Sequence, residues 1–226
     1  DGQDIAVEFD WFSDASGCAS HSHQPTRATI DALTAGFAAV PVSNPDLTTG
    51  IHLIADYGQS EVFHQGQSLG SLDNLQVDVI PSDGISGTNF YALKAANFKP
   101  NRKGIFHYAV NLHQFNGLSD TYGNGEIGGD DLILANHCRG NDLSGVQAAA
   151  LAMHELGHNL GLRHGGPSDL DAKSPNYNSV MNYRYVLGVD RNCDARGDLV
   201  PAYSSGTRPP LDENAVIESN GVCQGG

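Results

Sequence analysis

Five consecutive residues, His154-Glu155-Leu156-Gly157-His158, constrain this chain more than any other feature, because of the helix that has to carry them. From Asn141 to Leu160 the apolar positions Val146, Ala149, Met153, Leu156 and Leu160 recur at helical spacing as a core-facing stripe. Ser144 and Gln147 fit a capping box, so the pattern predicts a helix over about residues 143–160, and Gly161 stands where it would end in a left-handed turn. Residues four apart lie one turn apart on the same face, so His154 and His158 can offer two imidazole nitrogens to one metal ion. Glu155 sits beside them without being in line as a ligand, the place required of a base that acts on water. Once Gly161 reverses the chain, His164 can return as the third ligand and leave a fourth tetrahedral position for water. A lone histidine is most often an ordinary surface or core residue. Three in this register point to zinc, and a site of three protein ligands points to catalysis, since a structural zinc is usually closed by a fourth.

The chain before this helix reads as alternating strands and helices. Asp4 to Phe12 places Ile5, Val7, Phe9 and Trp11 on one face with period two. Pro25 suits the first turn of a helix whose apolar positions Ile30, Leu33, Phe37 and Val40 run on until Pro41. Turn residues from Pro41 to Gly50 lead into a second strand, Ile51 to Ala55. Strand, helix and strand at these lengths form a βαβ unit, so the expected fold is α/β with a mostly parallel twisted sheet. From Gly58 to Gly104 the pattern weakens to long loops with one helix around Asn89 to Phe98. Further strands are expected at Ile105 to Phe115 and Asp131 to Asn136. Beyond Gly165 the chain is irregular, with one short helix near Asp212 to Glu218. The 226 residues read as one domain, with residues 1–164 forming an upper lobe and 165–226 a loop-rich lower lobe.

Charge and cysteines narrow the setting. There are 26 acidic against 12 basic side chains, a formal charge of −14, which argues against nucleic-acid or anionic-membrane partners. Asp supplies 20 of the acids and Glu six, so the charge sits in short side chains suited to turns. A cleft under such a field favours cationic or neutral peptide segments. The longest apolar run, Ala148 to Met153, is far short of the ~18 residues of a membrane span. With Asp1 first and no basic-then-apolar stretch, the chain reads as a mature or trimmed piece of a secreted, extracellular, monomeric protein. Four scattered cysteines without a C-x-x-C suggest two disulfides in an oxidising compartment. Of the three connectivities we favour Cys193 with Cys223 in the C-terminal segment and Cys18 with Cys138, which would both follow C-terminal strand ends at one sheet edge.

The segment His154 to His164, HELGHNLGLRH, resembles the extended zinc signature of the metzincin metallopeptidases, and Ser179-Val180-Met181-Asn182-Tyr183 resembles their Met-turn. The resemblance covers residues 154–183 and implies two long helices in the upper lobe and a conserved methionine, here Met181, in a tight turn beneath the zinc. It also implies that Tyr183, two residues on, binds the metal or hydrogen-bonds the tetrahedral intermediate, as in astacins and serralysins. Gly165 after His164 differs from the residue that astacins, serralysins, matrixins, reprolysins or snapalysins carry there, so no individual family is assigned. The implied activity is that of a secreted zinc endopeptidase, with zinc-bound water activated by Glu155 and a protein substrate lying extended along an edge strand. A non-catalytic zinc-containing binding or adhesion module is the alternative, and the intact Glu155 and Tyr183 speak against it.

Weaker signals remain. Asp120, Asn124, Glu126 and Asp131 loosely follow a calcium-binding loop, although Tyr122 occupies a ligand position and the twelfth residue is Asp. Asp190, Asp194 and Asp198 are equally ambiguous. The seven other histidines, among them His21 and His23, have no ligand spacing backed by a second motif and read as ordinary surface or strand residues.

Overall fold

The first strand is long enough to organise everything beside it. In the computed structural model of the chain, β1 (Gln3–Ser13) pairs along one edge with β2 (Ile51–Asp56) through residues 3–8 and, further on, with β3 (Ser68–Ser71) at Trp11 and Ser13. Along its other edge it pairs with β4 (Phe106–Leu112), which pairs in turn with β6 (Asp131–Ala135). All of these pairings are parallel. A three-residue strand, β5 (Gly123–Gly125), closes the sheet as an antiparallel neighbour of β6, giving the order β2-β1-β4-β6-β5. The fold is thus mixed α/β with a mostly parallel six-stranded sheet, as the strand–helix–strand pattern predicts. The structure describes residues 2–13, 21–59, 64–71, 88–113, 121–135, 143–166, 169–170, 172–173, 177–190, 199–206 and 214. All four cysteines, Asp120, Asn136 and the helix expected near 212–218 lie outside them.

Helices cover both faces. Helix α1 (Arg27–Ala38) and helix α3 (Gly145–Asn159) pack on each other and on one face, where Ile5, Val7, Phe9, Leu53, Leu132 and Leu134 are buried with Leu33, Phe37, Leu151, Met153 and Leu156. Helix α2 (Thr88–Asn97) covers the other face, with Phe90 and Phe98 packed against Tyr108, Val110, Leu112 and Ile133. Burying a Leu or Phe side chain contributes about 1.5–3 kcal/mol, so these two apolar layers account for the sandwich. A two-stranded ribbon of β7 (Val189–Asp190) and β8 (Leu199–Val200) follows α3, and Val180, Val189 and Ala202 belong to the same core as α3. Among the described residues no helix is long and apolar enough to cross a membrane.

Local details correct the expectation at four places. Thr26, not Pro25, opens α1: its hydroxyl accepts from the Thr29 N–H and caps the helix, leaving Pro25 outside it. Leu160 is not in the core stripe but is the C-cap of α3, exposed because the chain turns away there. Strands β3 and β5 arise where the pattern predicts only loop.

The face of β1 toward α2 carries charge where alternation alone would lead to solvent. Glu8 and Asp10 are fully buried, and Arg102 Nη1 lies 2.5 Å from both Glu8 Oε2 and Asp56 Oδ2. Asp10 accepts from Tyr108 Oη at 2.8 Å and from the Gln67 N–H. One guanidinium therefore pairs with two carboxylates, while Asp10 is held by neutral donors. Burial works against ionised Asp56, yet donation from the Gln65 and Gly66 N–H groups and Arg102 holds its carboxyl below the usual range. Glu8 yields instead: burial pushes it up to about 7, with Arg102 opposing. A folded-state value above the unfolded one means that the stabilisation is complete below about pH 4.5 and is lost as pH rises through about 7. The melting temperature is expected to fall as pH rises from about 4.5 to 7, and Glu8→Gln to flatten that fall. An unchanged slope in calorimetry of the variant would remove Glu8 as its source.

Candidate metal centre

Three histidines meet because α3 starts and stops where it does. At its start the Ser144 hydroxyl accepts from the Gln147 N–H and the Gln147 side chain accepts from the Ser144 N–H, the predicted capping box. At its end the Gly161 N–H donates to His158 O and the Leu162 N–H to Gly157 O, both at 2.8 Å, with Gly161 at φ 88°. This paired turn needs a left-handed residue after the C-cap and satisfies two carbonyls that the helix leaves open. The chain doubles back through the Arg163–Gly166 bridge, and His164 arrives beside His158. The Nε2 atoms of His158 and His164 lie 3.1 Å apart, and ring nitrogens of all three histidines fall within 4.8 Å of one another. Donors about 2.0–2.1 Å from a tetrahedral zinc lie about 3.3 Å apart, so this set fits such an ion.

The remaining ring nitrogens are already committed. His154 Nδ1 lies 2.7 Å from Val180 O and His158 Nδ1 2.8 Å from Leu162 O, while His164 Nδ1 is 3.0 Å from Asp169 Oδ1. Each imidazole thus donates from Nδ1 to an oxygen, which fixes the ring and leaves Nε2 as the lone-pair donor. Burial lowers the affinity of each ring for a proton, to about 3 for His154, so the rings are neutral and able to ligate near neutral pH. Asp169 is a residue that sequence reasoning missed. Its carboxylate also accepts from the His164 N–H and from Arg163 Nη1.

Glu155 is 3% exposed beside this triad, and burial pushes its carboxyl up to about 8. A divalent cation among the histidines opposes that shift and favours the carboxylate. Strand β5 passes directly over it. A Cβ on Gly123 would lie 2.1 Å from Glu155 Oε1, and one on Gly125 would lie 2.6 Å from Glu155 O. Below the helix, the turn at Ser179–Asn182 is buried, and a Cβ on Gly157 would come 2.3 Å from Met181 Sδ and 3.1 Å from the Tyr203 ring. Gly157 is thus the position that lets Met181 sit against the helix. Tyr183 is half exposed, with its ring 4.1 Å from that of His164. Burial, then the Glu155 charge, raises its hydroxyl above the usual range, so it remains a hydrogen-bond donor at neutral pH. A cleft of about 700 Å³ joins these groups, lined by the triad, Glu155, Tyr183, β5, Asp169 and Val186.

The structure brings His154, Glu155, His158, His164, Met181 and Tyr183 together. The calcium set is only partly assembled. Glu126 and Asp131 converge with Asp130, but Lys94 Nζ pairs with Asp130 at 3.0 Å and also with Asp131, and Tyr91 Oη donates to Glu126, so the acids already have donors. Asn124 lies on β5 and lines the cleft. Asp120 lies outside the described residues. No protein-family model matches the chain, and no curated protein matches its sequence.

Replacing Asp169 by Ala removes the acceptor that orients His164. Metal affinity is expected to weaken about 10–100-fold, as measured by competition with a chromogenic chelator, with the fold retained. Unchanged affinity would mean that Asp169 does not set the ring.

Proposed function

We propose that the chain is a secreted zinc-dependent endopeptidase of metzincin type, hydrolysing peptide bonds of protein substrates. The observation that carries this reading is the combination of three imidazoles, each with Nδ1 committed and Nε2 turned to a common point, with a buried carboxylate beside them in an open cleft. Nitrogen donors of this kind favour zinc over calcium or magnesium, which take oxygen. Three protein ligands leave room for water and substrate.

Zinc, when bound, supplies the Lewis acidity that acidifies a water and polarises the scissile carbonyl. Glu155 takes the proton of the attacking water on its carboxylate and delivers it to the leaving amine nitrogen. The apolar surroundings that raise its pKa also make it an effective acid in the second half of that exchange. Tyr183 Oη donates to the oxygen of the tetrahedral carbon. Strand β5 offers an edge along which an extended peptide can add main-chain hydrogen bonds, and its glycines keep the floor of the cleft clear. Val186 lies on the cleft wall after Tyr183, where the side chain following the scissile bond would be read.

Casein digestion by the zinc-loaded protein is expected to stop when a chelator is added. In Glu155→Gln it is expected to fall at least about 100-fold with zinc content intact. A zinc-loaded wild type that cleaves nothing would leave the binding-module reading. For Tyr183→Phe, loss of one donor to the developing oxyanion should lower kcat roughly 100-fold with little change in KM. An unchanged kcat would remove the hydroxyl from the reaction.

A further inference from the structure

A second group of histidines converges at the other end of α3. His21 and His23 follow β1, and His113 follows β4 by one residue. Their ring nitrogens lie within 4.8 Å of one another, the same convergence as in the first triad. Ring centroids are 4.5 Å apart for His21 and His23, 5.6 Å for His23 and His113, and 6.4 Å for His21 and His113. The sequence gives no hint of this, since His113 is 90 residues from His23 and is brought to it only by the parallel pairing of β1 with β4.

The backbone that carries them is anchored to both strands. The His23 N–H donates to Phe12 O at 3.0 Å, Ser22 bridges Ser13, and Asn111 Nδ2 of β4 donates to His23 O at 3.1 Å. His23 is 3% exposed, and the Nε2 atoms of His21 and His23 are both screened from solvent. Asn111 is buried as well, and its Oδ1 meets no hydrogen-bond donor. His21, His23 and Asn111 line one cavity of about 120 Å³ together with Ala148 and Ala152 of α3. Ala148 precedes His158 by ten residues, about 15 Å along a helix at 1.5 Å per residue, so one ion cannot serve both triads.

We propose that His21, His23 and His113 form a second metal site, taking a divalent transition ion of the zinc class and pinning the segment after β1 to the end of β4. Three imidazoles whose ring nitrogens converge on one locus match a cation that accepts nitrogen lone pairs. The donor set selects zinc, copper or nickel against calcium and magnesium. Anchoring by Phe12, Ser13 and Asn111 pre-positions two of the three ligands, and the ion adds a cross-link from that segment to β4 beside the one that Asn111 makes. Bound to the folded chain, it also stabilises the fold.

The test is zinc stoichiometry by atomic emission on the full chain, stripped with chelator, reloaded with zinc and dialysed. Wild type is expected to hold two ions per chain. His21→Ala and His113→Ala, both at partly exposed positions, should each hold one, as should His158→Ala in the first triad. The melting temperature of wild type should rise on zinc addition, and part of that rise should vanish in His113→Ala. A wild type with one ion that His158→Ala loses and His113→Ala keeps would overturn this site and leave the peptidase reading intact. One ion lost in His113→Ala but kept in His158→Ala would do the reverse. Two ions retained in both His21→Ala and His113→Ala would also overturn it. Should both variants fail to fold, as judged by circular dichroism, the wild-type count decides, and a single ion whose loss in His158→Ala is complete overturns the site.

Discussion

The contact between α3 and the turn beneath it is the constraint on which the rest of the site depends. His154 donates from Nδ1 to the carbonyl of Val180, and one turn later Gly157 leaves space for Met181. The first contact sets the ring that a metal would see; the second sets how close the turn can come. Tyr203 completes the arrangement by donating from Oη to Met153 O at 2.6 Å, taking up a helix carbonyl next to the metal-facing residues. A helix carrying three functional side chains cannot hold them to a few tenths of an ångström by propensity alone. Here it is held from below by a carbonyl, a sulfur and a phenol, and from above by the sheet.

The other end of that rigidity is electrostatic. Asn159, the last residue of α3, accepts through Oδ1 from His107 Nδ1 of β4 and donates from Nδ2 to the carbonyls of Glu126 and Asp131. One amide thus joins the helix, β4, and the segment between β5 and β6. On the opposite face of the sheet, Arg102 joins β1 to β2 through Glu8 and Asp56, and Lys94 joins α2 to β6 through Asp131. Each of these cations lies between elements distant in sequence, and removing one would leave a buried carboxylate, Glu8 and Asp56 or Asp131, without its counter-charge. The interior charges serve as cross-ties between layers whose apolar contacts are less directional.

What could be read from the sequence was whatever is local. The capping box at Ser144, the left-handed Gly161 and the His154–His158 register are decided within a few residues of chain, and the structure carries all three. The alternation of Ile5, Val7 and Phe9 was legible because one face of β1 meets the apolar side of α1 and α3. Its polar face was not, since period two cannot distinguish a carboxylate in water from one paired with an arginine 94 residues away. Asp169 escaped for a related reason: only the folded turn brings it to His164, and nothing in its neighbours marks it. The second histidine cluster depends on strand order, which no local pattern encodes.

Strand β5 shows why the least legible element stands at the most demanding place. Gly-Asn-Gly is among the poorest strand-forming sequences, costly in backbone entropy and offering no side-chain packing from its glycines. It holds as a strand through its pairing with β6 at Gly123–Leu134, Asn124–Ile133 and Gly125–Leu132, whose β6 residues are buried and apolar. Any residue with a Cβ at 123 would displace the Glu155 carboxylate, and one at 125 would press on the helix backbone. The same two glycines let β5 lie directly against Glu155, which is 3% exposed and lines the cleft. The weakness in local propensity is therefore the condition for a buried carboxylate to lie against a sheet edge, and such a departure from strand chemistry is expected where position matters more than stability.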